Sequence, residues 1–393
     1  MNASERLWNT NYIKVMAANF MIYFSFMLLT PLLPIYLHDT FAASKDTIGL
    51  VLFGYSVLAL VMRLFSGYIV DSFPRKQVAF ISFFFFTLFF VGYIAAGSLL
   101  LFAVVRTLHG APFGAVTVSN STIAIDVLPS SRRTEGIGYY GLGNNIASAI
   151  SPSVALWSYH STHNFTILFW MAMLTALLGL VISSTVKLPV RELKRDKKAV
   201  SLDRFFLTRG WSHALTITLY AFSYGVVSTY LAIYGQQQLG IDGGAGLFFL
   251  LLSVGLITSR LTGNRLLRAG RLVHSASIGV CVSAVGYLLF AAMPNEVGYY
   301  GAALVIGLGN GRMYPAYQNM FVDMAEHSQR GTANSSILVS WDVGVGLGIL
   351  LGGVVAEHCG YTAAFYVAWA VNLVGALFFF LHTRHDFQRK RLR

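Results

Sequence analysis

Four ionisable residues, Arg106, His109, Arg312 and Asp342, stand deep inside long apolar runs. If those runs lie in a bilayer, each charge costs roughly 2.5–3.5 kcal/mol on insertion scales and needs a partner or water. Asp342 lies about twelve residues, or about 18 Å along a helix, from the cytoplasmic end expected for its run. There a carboxylate could bind and release a proton as water or solute reaches it. Arg312, halfway along the preceding run, is its expected partner, and a static ion pair is the plainer reading. Arg106 and Arg312 could hold polar or anionic groups of a solute. His109, one turn after Arg106, would share that face, or be an ordinary hydrogen-bonded histidine. Asn19, Tyr23, Asn120, Asn144, Asn145, Tyr220, Tyr224, Tyr314, Tyr317, Gln318 and Asn319 complete the polar groups inside apolar runs. Aromatics mixed with amides suit an amphipathic organic solute better than an inorganic ion. No metal-ligand spacing, phosphate-binding glycine loop or nucleophile–base constellation is present in the sequence. Neither a cofactor nor enzymatic activity is therefore expected.

The elements that must position these residues follow from composition. Of 393 residues, 55% are hydrophobic and 11% charged, with a mean hydropathy of +0.62. A soluble domain carries about 25% charged residues, so lipid is the expected solvent. At roughly 20 residues per crossing the chain holds about twelve spans. They read as 13–37, 48–70, 78–96, 99–125, 136–157 and 165–186, then 211–234, 245–266, 273–293, 297–321, 332–356 and 362–381, with a polar break at 187–209. Each must be a helix, because open sheet edges cannot exist in hydrocarbon. The 30 Phe and 37 Gly agree, rings facing lipid and glycines admitting close helix approach. Cys281 and Cys359 read as unpaired packing residues, and the polar first ten residues do not form a cleavable leader.

The net charge of +12 does not signal nucleic acid, because the positives flank apolar runs. Alternate connections carry Arg75 and Lys76, Arg132 and Arg133, the break from Lys187 to Lys198, Arg265, Arg268 and Arg271, Arg330, and the tail from Arg384. The opposite connections carry only Lys45. That asymmetry places both termini in the cytoplasm and requires an even number of spans. The basic break and tail read as a solvated linker and topology anchor, with an anionic-lipid site as a second reading.

The two halves repeat one another. Gly67 and Arg75 fall on Gly263 and Arg271 at an offset of 196, while Gly110, Gly114, Asp126 and Arg133 fall on Gly307, Gly311, Asp323 and Arg330 at 197. At that second offset Tyr23 meets Tyr220 and Asn145 meets Asp342. Two related halves predict a solute site near the midplane, between them.

These residues resemble the major facilitator superfamily over essentially the whole chain. Arg63, Gly67 and Asp71 share one helix face and lead to Arg75 and Lys76, a pattern similar to that family's loop motif. The resemblance implies a latch that joins the cytoplasmic helix ends in the outward-open state. Pro74 replaces the usual glycine, and Leu267 replaces the aspartate in the second copy. Arg106, His109 and Gly110 are similar to the family's fourth-span arginine motif. Ala147, Ser151, Pro152 and Ala155 match the drug:proton antiporter motif only weakly. The segment Trp341-Asp342-Val343-Gly344 resembles one found in efflux permeases.

The resemblance thus implies an all-α membrane protein with twelve transmembrane helices in two pseudo-symmetric six-helix bundles. The expected domains are 1–186, a basic cytoplasmic linker at 187–209, and 210–393 with its basic tail. The expected function is alternating-access movement of a small organic solute, as proton-coupled export through Asp342. An importer or facilitator of organic anions is the alternative. The partners implied are a small-molecule substrate, protons and membrane lipids, without nucleic acid, for a monomer in a bacterial inner membrane.

Overall fold

The structure, a computed structural model, describes residues 6–30, 32–43, 45–129, 132–188, 206–241, 244–326 and 329–392. A few further helical side chains, that of Asn145 among them, lie outside the described set, as does most of the expected linker at 187–209. Helices account for all regular structure among the described residues. This follows from the medium: a helix satisfies its own backbone donors, and lipid offers no replacement for them.

The chain divides into two compact units, Met1–Phe205 and Phe206–Arg393. Unit 1 holds α1 (Thr10–Leu29), α2 (Leu33–Phe41), α3 (Lys45–Ser72), α4 (Arg75–Ala95), α5 (Leu99–Val127), α6 (Arg133–Thr162) and α7 (Phe165–Ser184). Unit 2 holds α8 (Trp211–Gln238), α9 (Ala245–Arg268), α10 (Leu272–Ala292), α11 (Glu296–Asp323), α12 (Arg330–Cys359) and α13 (Tyr361–Phe378). A π-helical turn, Phe379–Thr383, then leads into α14 (Arg384–Lys390). Among the described residues, ten helices are long and apolar enough to cross a membrane. α6 and α11, of 30 and 28 residues, match them in length but are diluted by glycines and amides such as Asn144, Asn310 and Gln318. Among the described residues each unit thus has six long helices.

α4 shows what solvent the helices expect. It buries Phe83, Phe86, Phe90 and Tyr93 and exposes Phe80, Phe84, Phe85, Leu88 and Val91. A helix apolar on every side has no face for water, so its outer face belongs to lipid. Side-chain caps set several starts: Asn9, Ser98, Asn164 and Asn295 each accept from a first-turn amide. Between α12 and α13 the chain turns at Gly360, whose φ of +86° suits glycine alone among common residues.

The repeat reappears as matched contacts. A Cβ on Gly114 would meet the backbone of Ala59, and one on Gly311 the backbone of Leu256. Gly110 likewise abuts Tyr55 and Ala59, and Gly307 abuts Leu252 and Gly255. Tyr55 and Leu252, and Ala59 and Leu256, keep the 197 offset, so α5 meets α3 and α11 meets α9 by the same close approach.

Two expectations need correction. The span 13–37 is not one helix: α1 ends at Leu29 and α2 begins at Leu33. Pro34 sits in the first turn of α2, where its missing N–H costs nothing, whereas within a continuous helix it would break the ladder. The tail is not merely a solvated anchor. Asp386 and Phe387 of α14 are buried, at 2% and 4% exposure, against unit 2.

Candidate functional site

The polar groups fall into separate clusters, each described within its own unit. In unit 1, α5 carries Arg106 and His109 one turn apart, and both are buried. The Arg106 guanidinium lies 4.0 Å from the Tyr55 ring centroid and 5.7 Å from that of Phe26. Its Nη1 donates to the Tyr93 hydroxyl at 3.2 Å. That hydroxyl is 2.7 Å from His109 Nδ1. Rings of Phe86, Phe89 and Phe90 close around the imidazole. A dry arginine is thus held by π faces and one phenol, a cation–π arrangement worth about 2 kcal/mol or more when desolvated. Arg106 Nε and His109 Nε2 have no hydrogen-bond partner among the described residues.

Arg63 belongs with this cluster. It is buried, and its guanidinium lies 5.4 Å from the Phe113 centroid. Phe113 in turn stacks on Phe26 and meets Tyr55 and Tyr23. The eight residues from Arg63 to Asp71 span about 12 Å of helix, which carries Arg63 away from the loop cluster expected of it.

A second network joins α1, α5 and α6. Asn19 Nδ2 donates to Asn144 Oδ1, and the Tyr140 hydroxyl donates to Asn19 Oδ1 at 2.7 Å. Asn120 Nδ2 donates to Tyr140 at 3.0 Å and to the Val15 carbonyl at 3.3 Å. Asn19, Asn120 and Asn144 are therefore brought together, with Tyr140 as the hub that sequence reading missed. Its signal was present: Tyr140 and Asn144 are four apart on one helix face.

The loop motif closes at the ends of α3, α4 and α5. Arg75 donates through Nη2 to Asp71 at 2.9 Å, and through Nη1 to Asp126. Gly67 is buried and Lys76 exposed. Asp71, Arg75 and Asp126 form a bridged ion triad that ties three helix ends within unit 1.

In unit 2, Trp341 lies between Tyr224 and Tyr314, each ring centroid 5.4 Å away. Asp342 follows it and is half-buried. Arg312 donates not to Asp342 but to Thr262 at 3.3 Å. Gln318 donates to Asn334 at 3.2 Å, while Asn319 is spent on the Pro315 carbonyl of its own helix. Tyr220 and Tyr317 are buried in one apolar cluster. Their hydroxyls have no hydrogen-bond partner among the described residues.

A buried carboxylate appears where the sequence suggested only surface. Asp386 Oδ2 accepts from Ser212 at 2.6 Å and from Lys390 at 3.0 Å, and the ring of buried His213 lies beside Phe387. Asp386 is more enclosed than Asp342, and its place amid basic residues concealed this.

Described residues that are helical throughout, with apolar outward faces and buried ionic and amide networks, define a multi-pass membrane protein. Family comparison makes this specific. The Major Facilitator Superfamily model matches residues 15–334 and 270–393, and the chain belongs to that superfamily. It is accordingly a transporter of small solutes and not an enzyme. It is 22% identical to the staphylopine export protein of Staphylococcus aureus, covering 94% of this chain and 95% of that one. The MFS-type transporter YhhS of Escherichia coli is 24% identical over 94% of this chain and 91% of its own. Among solved structures, the human organic anion transporter MFSD10 has a TM-score of 0.77 at 16% identity, covering 94% of this chain and 98% of that one. FucP, in the outward conformation, has 0.74 at 15%, covering 97% and 99%. These two likenesses concern the fold.

Proposed function

We propose that this transporter exports a small organic solute in exchange for protons, with Asp342 carrying the proton. The observation that carries this reading is the half-buried Asp342 beside Trp341, whose ring joins Tyr224 and Tyr314. Water must reach a proton carrier in one state and leave it in another, and partial burial suits that cycle. Arg312, the partner expected from the sequence, donates through Nη2 to Thr262. Aromatic faces beside an ionisable group suit an amphipathic solute. The staphylopine exporter relative, distant but matched along its length, favours the outward direction.

Asp342→Asn in proteoliposomes with an imposed pH gradient tests this. Asparagine mimics the protonated carboxyl, so gradient-driven transport should vanish while solute counterflow persists. Full gradient-driven transport by a stable Asp342→Asn protein would end the proposal.

Facilitated movement of organic anions is a second reading. Arg106 favours it, since its charge is met by rings and a phenol and by no carboxylate among its described contacts. Counterflow of anions that is indifferent to the pH gradient would support it.

A further inference from the structure

The repeat predicts a partner for Arg271 that the sequence removes. Arg271 occupies the register of Arg75, but Leu267 stands where Asp71 would. Among the described residues its guanidinium has neither an ion pair nor a hydrogen bond. It lines instead a cavity of about 360 Å³ at the start of α10, with His274, Ser277, Phe387, Gln388 and Arg391. Among the described residues that line this cavity none is a carboxylate. The nearest acidic group along α14, Asp386, is turned to Ser212 and Lys390. Arg391 is likewise without an ion-pair partner among the described residues.

The floor and wall differ in kind. Phe387 and Leu272 are buried at the apolar side, while Arg271, His274, Gln388 and Arg391 are exposed. Arg271 is also the N-cap of α10 and offers no side-chain cap, so the first-turn amides keep their donors. Leu272, Val273 and His274, the first turn of this 21-residue helix, line the same cavity as the two arginines, at the positive end of the helix. Arginine forks match phosphate oxygens in pairs.

We propose that this cavity binds a phosphate-bearing anion, supplied either by an anionic phospholipid headgroup or as free phosphate. The two arginines and the α10 amides would hold the phosphate, and Gln388 would meet its substituent. A lipid's chains would leave along the apolar side. The proposal is independent of the direction and coupling of transport.

The test uses the purified full chain in a neutral detergent at moderate salt. Protection against thermal unfolding is titrated with dihexanoyl phosphatidylglycerol, dihexanoyl phosphatidylcholine and inorganic phosphate. The wild type should be protected by the anionic lipid more than by the zwitterionic one. Arg271→Ser with Arg391→Ser should weaken that binding by about tenfold or more. Arg389→Ser, which removes a tail charge outside the cavity, should leave it within twofold. Protection by inorganic phosphate with the same arginine dependence identifies the soluble source; protection by the lipid alone identifies the headgroup. Equal effects of the two lipids together with no effect of phosphate on the wild type would overturn the site, and that result needs no variant. Equal weakening by Arg389→Ser would also overturn it, as diffuse charge attraction.

Discussion

Arg75 and Arg271 stand at one register of the two repeats and have opposite surroundings. Arg75 is bound to two carboxylates, Asp71 and Asp126, whereas Arg271 lines a cavity with no carboxylate among its described residues. A single exchange, Leu267 in the place of the aspartate, removes one of the two matching acids. Among the described residues the ion triad is seen in unit 1, at the motif for which the family resemblance implies a latch.

Arg75→Gln should destabilise the protein more than Asp71→Asn or Asp126→Asn. Removing the arginine leaves two carboxylates facing each other, whereas removing one acid leaves the other pair intact. A loss of about 1.5–3 kcal/mol is expected for Arg75→Gln. Denaturant unfolding in mixed micelles measures it; equal losses for all three variants would contradict a bridging arginine.

Tyr93→Phe should cost about 1–3 kcal/mol, because one hydroxyl serves both Arg106 and His109. Arg106→Lys should also destabilise, since an ammonium cannot reproduce the flat stacking on Tyr55. In the Tyr93→Phe background the His109→Phe change should cost less than in the wild type. A double-variant cycle on melting temperature reads this coupling, and strict additivity would refute it.

Gly114→Ala and Gly311→Ala should each destabilise by about 1–3 kcal/mol, because the new methyl meets a neighbouring helix backbone. Gly143→Ala, where nothing lies within 4 Å of a new Cβ, should be neutral or slightly stabilising. Melting temperatures of the three variants test the contact map directly. Indifference at Gly114 would mean that α3 and α5 do not approach as described.

Asp386→Ala should destabilise unit 2 by about 1–3 kcal/mol, as Ser212 and Lys390 lose their shared acceptor. Asp386→Asn should recover part of the loss through its remaining carbonyl oxygen. Protease accessibility of the tail gives an independent readout: cleavage near Gln388 should rise in Asp386→Ala. An unchanged digestion rate would argue that α14 is not anchored by this carboxylate.

Much of this architecture was legible because lipid imposes a simple rule on sequence. Long apolar runs become helices, and the matched glycines Gly114 and Gly311 announced the close approaches that the structure contains. The break between α1 and α2 was harder, since its apolar flanks outweighed Pro34 in a reading based on hydropathy. Arg106 and His109 were visible as costly residues, but the ring that unites them, Tyr93, is spaced 13 residues from Arg106 on another helix. Such partnerships depend on tertiary packing that periodicity does not encode. Asp386 was hidden for a different reason: among Arg384, Arg389 and Lys390 it looked like one charge in a solvated run. Its burial and its bond to Ser212, 174 positions away, reveal that it is interior.

That separation also fixes an order of events during biosynthesis. Ser212 and His213 emerge at the head of α8 long before Asp386 has been translated. Until then these polar groups must be met by water, by headgroups or by assembly factors. The α8–α14 junction is a non-local contact, closed after the intervening helices have entered the bilayer, and non-local contacts form slowly. Completion of unit 2 is thus a late folding step, and a nascent chain arrested before α14 would carry an unclosed seam for quality-control machinery to find.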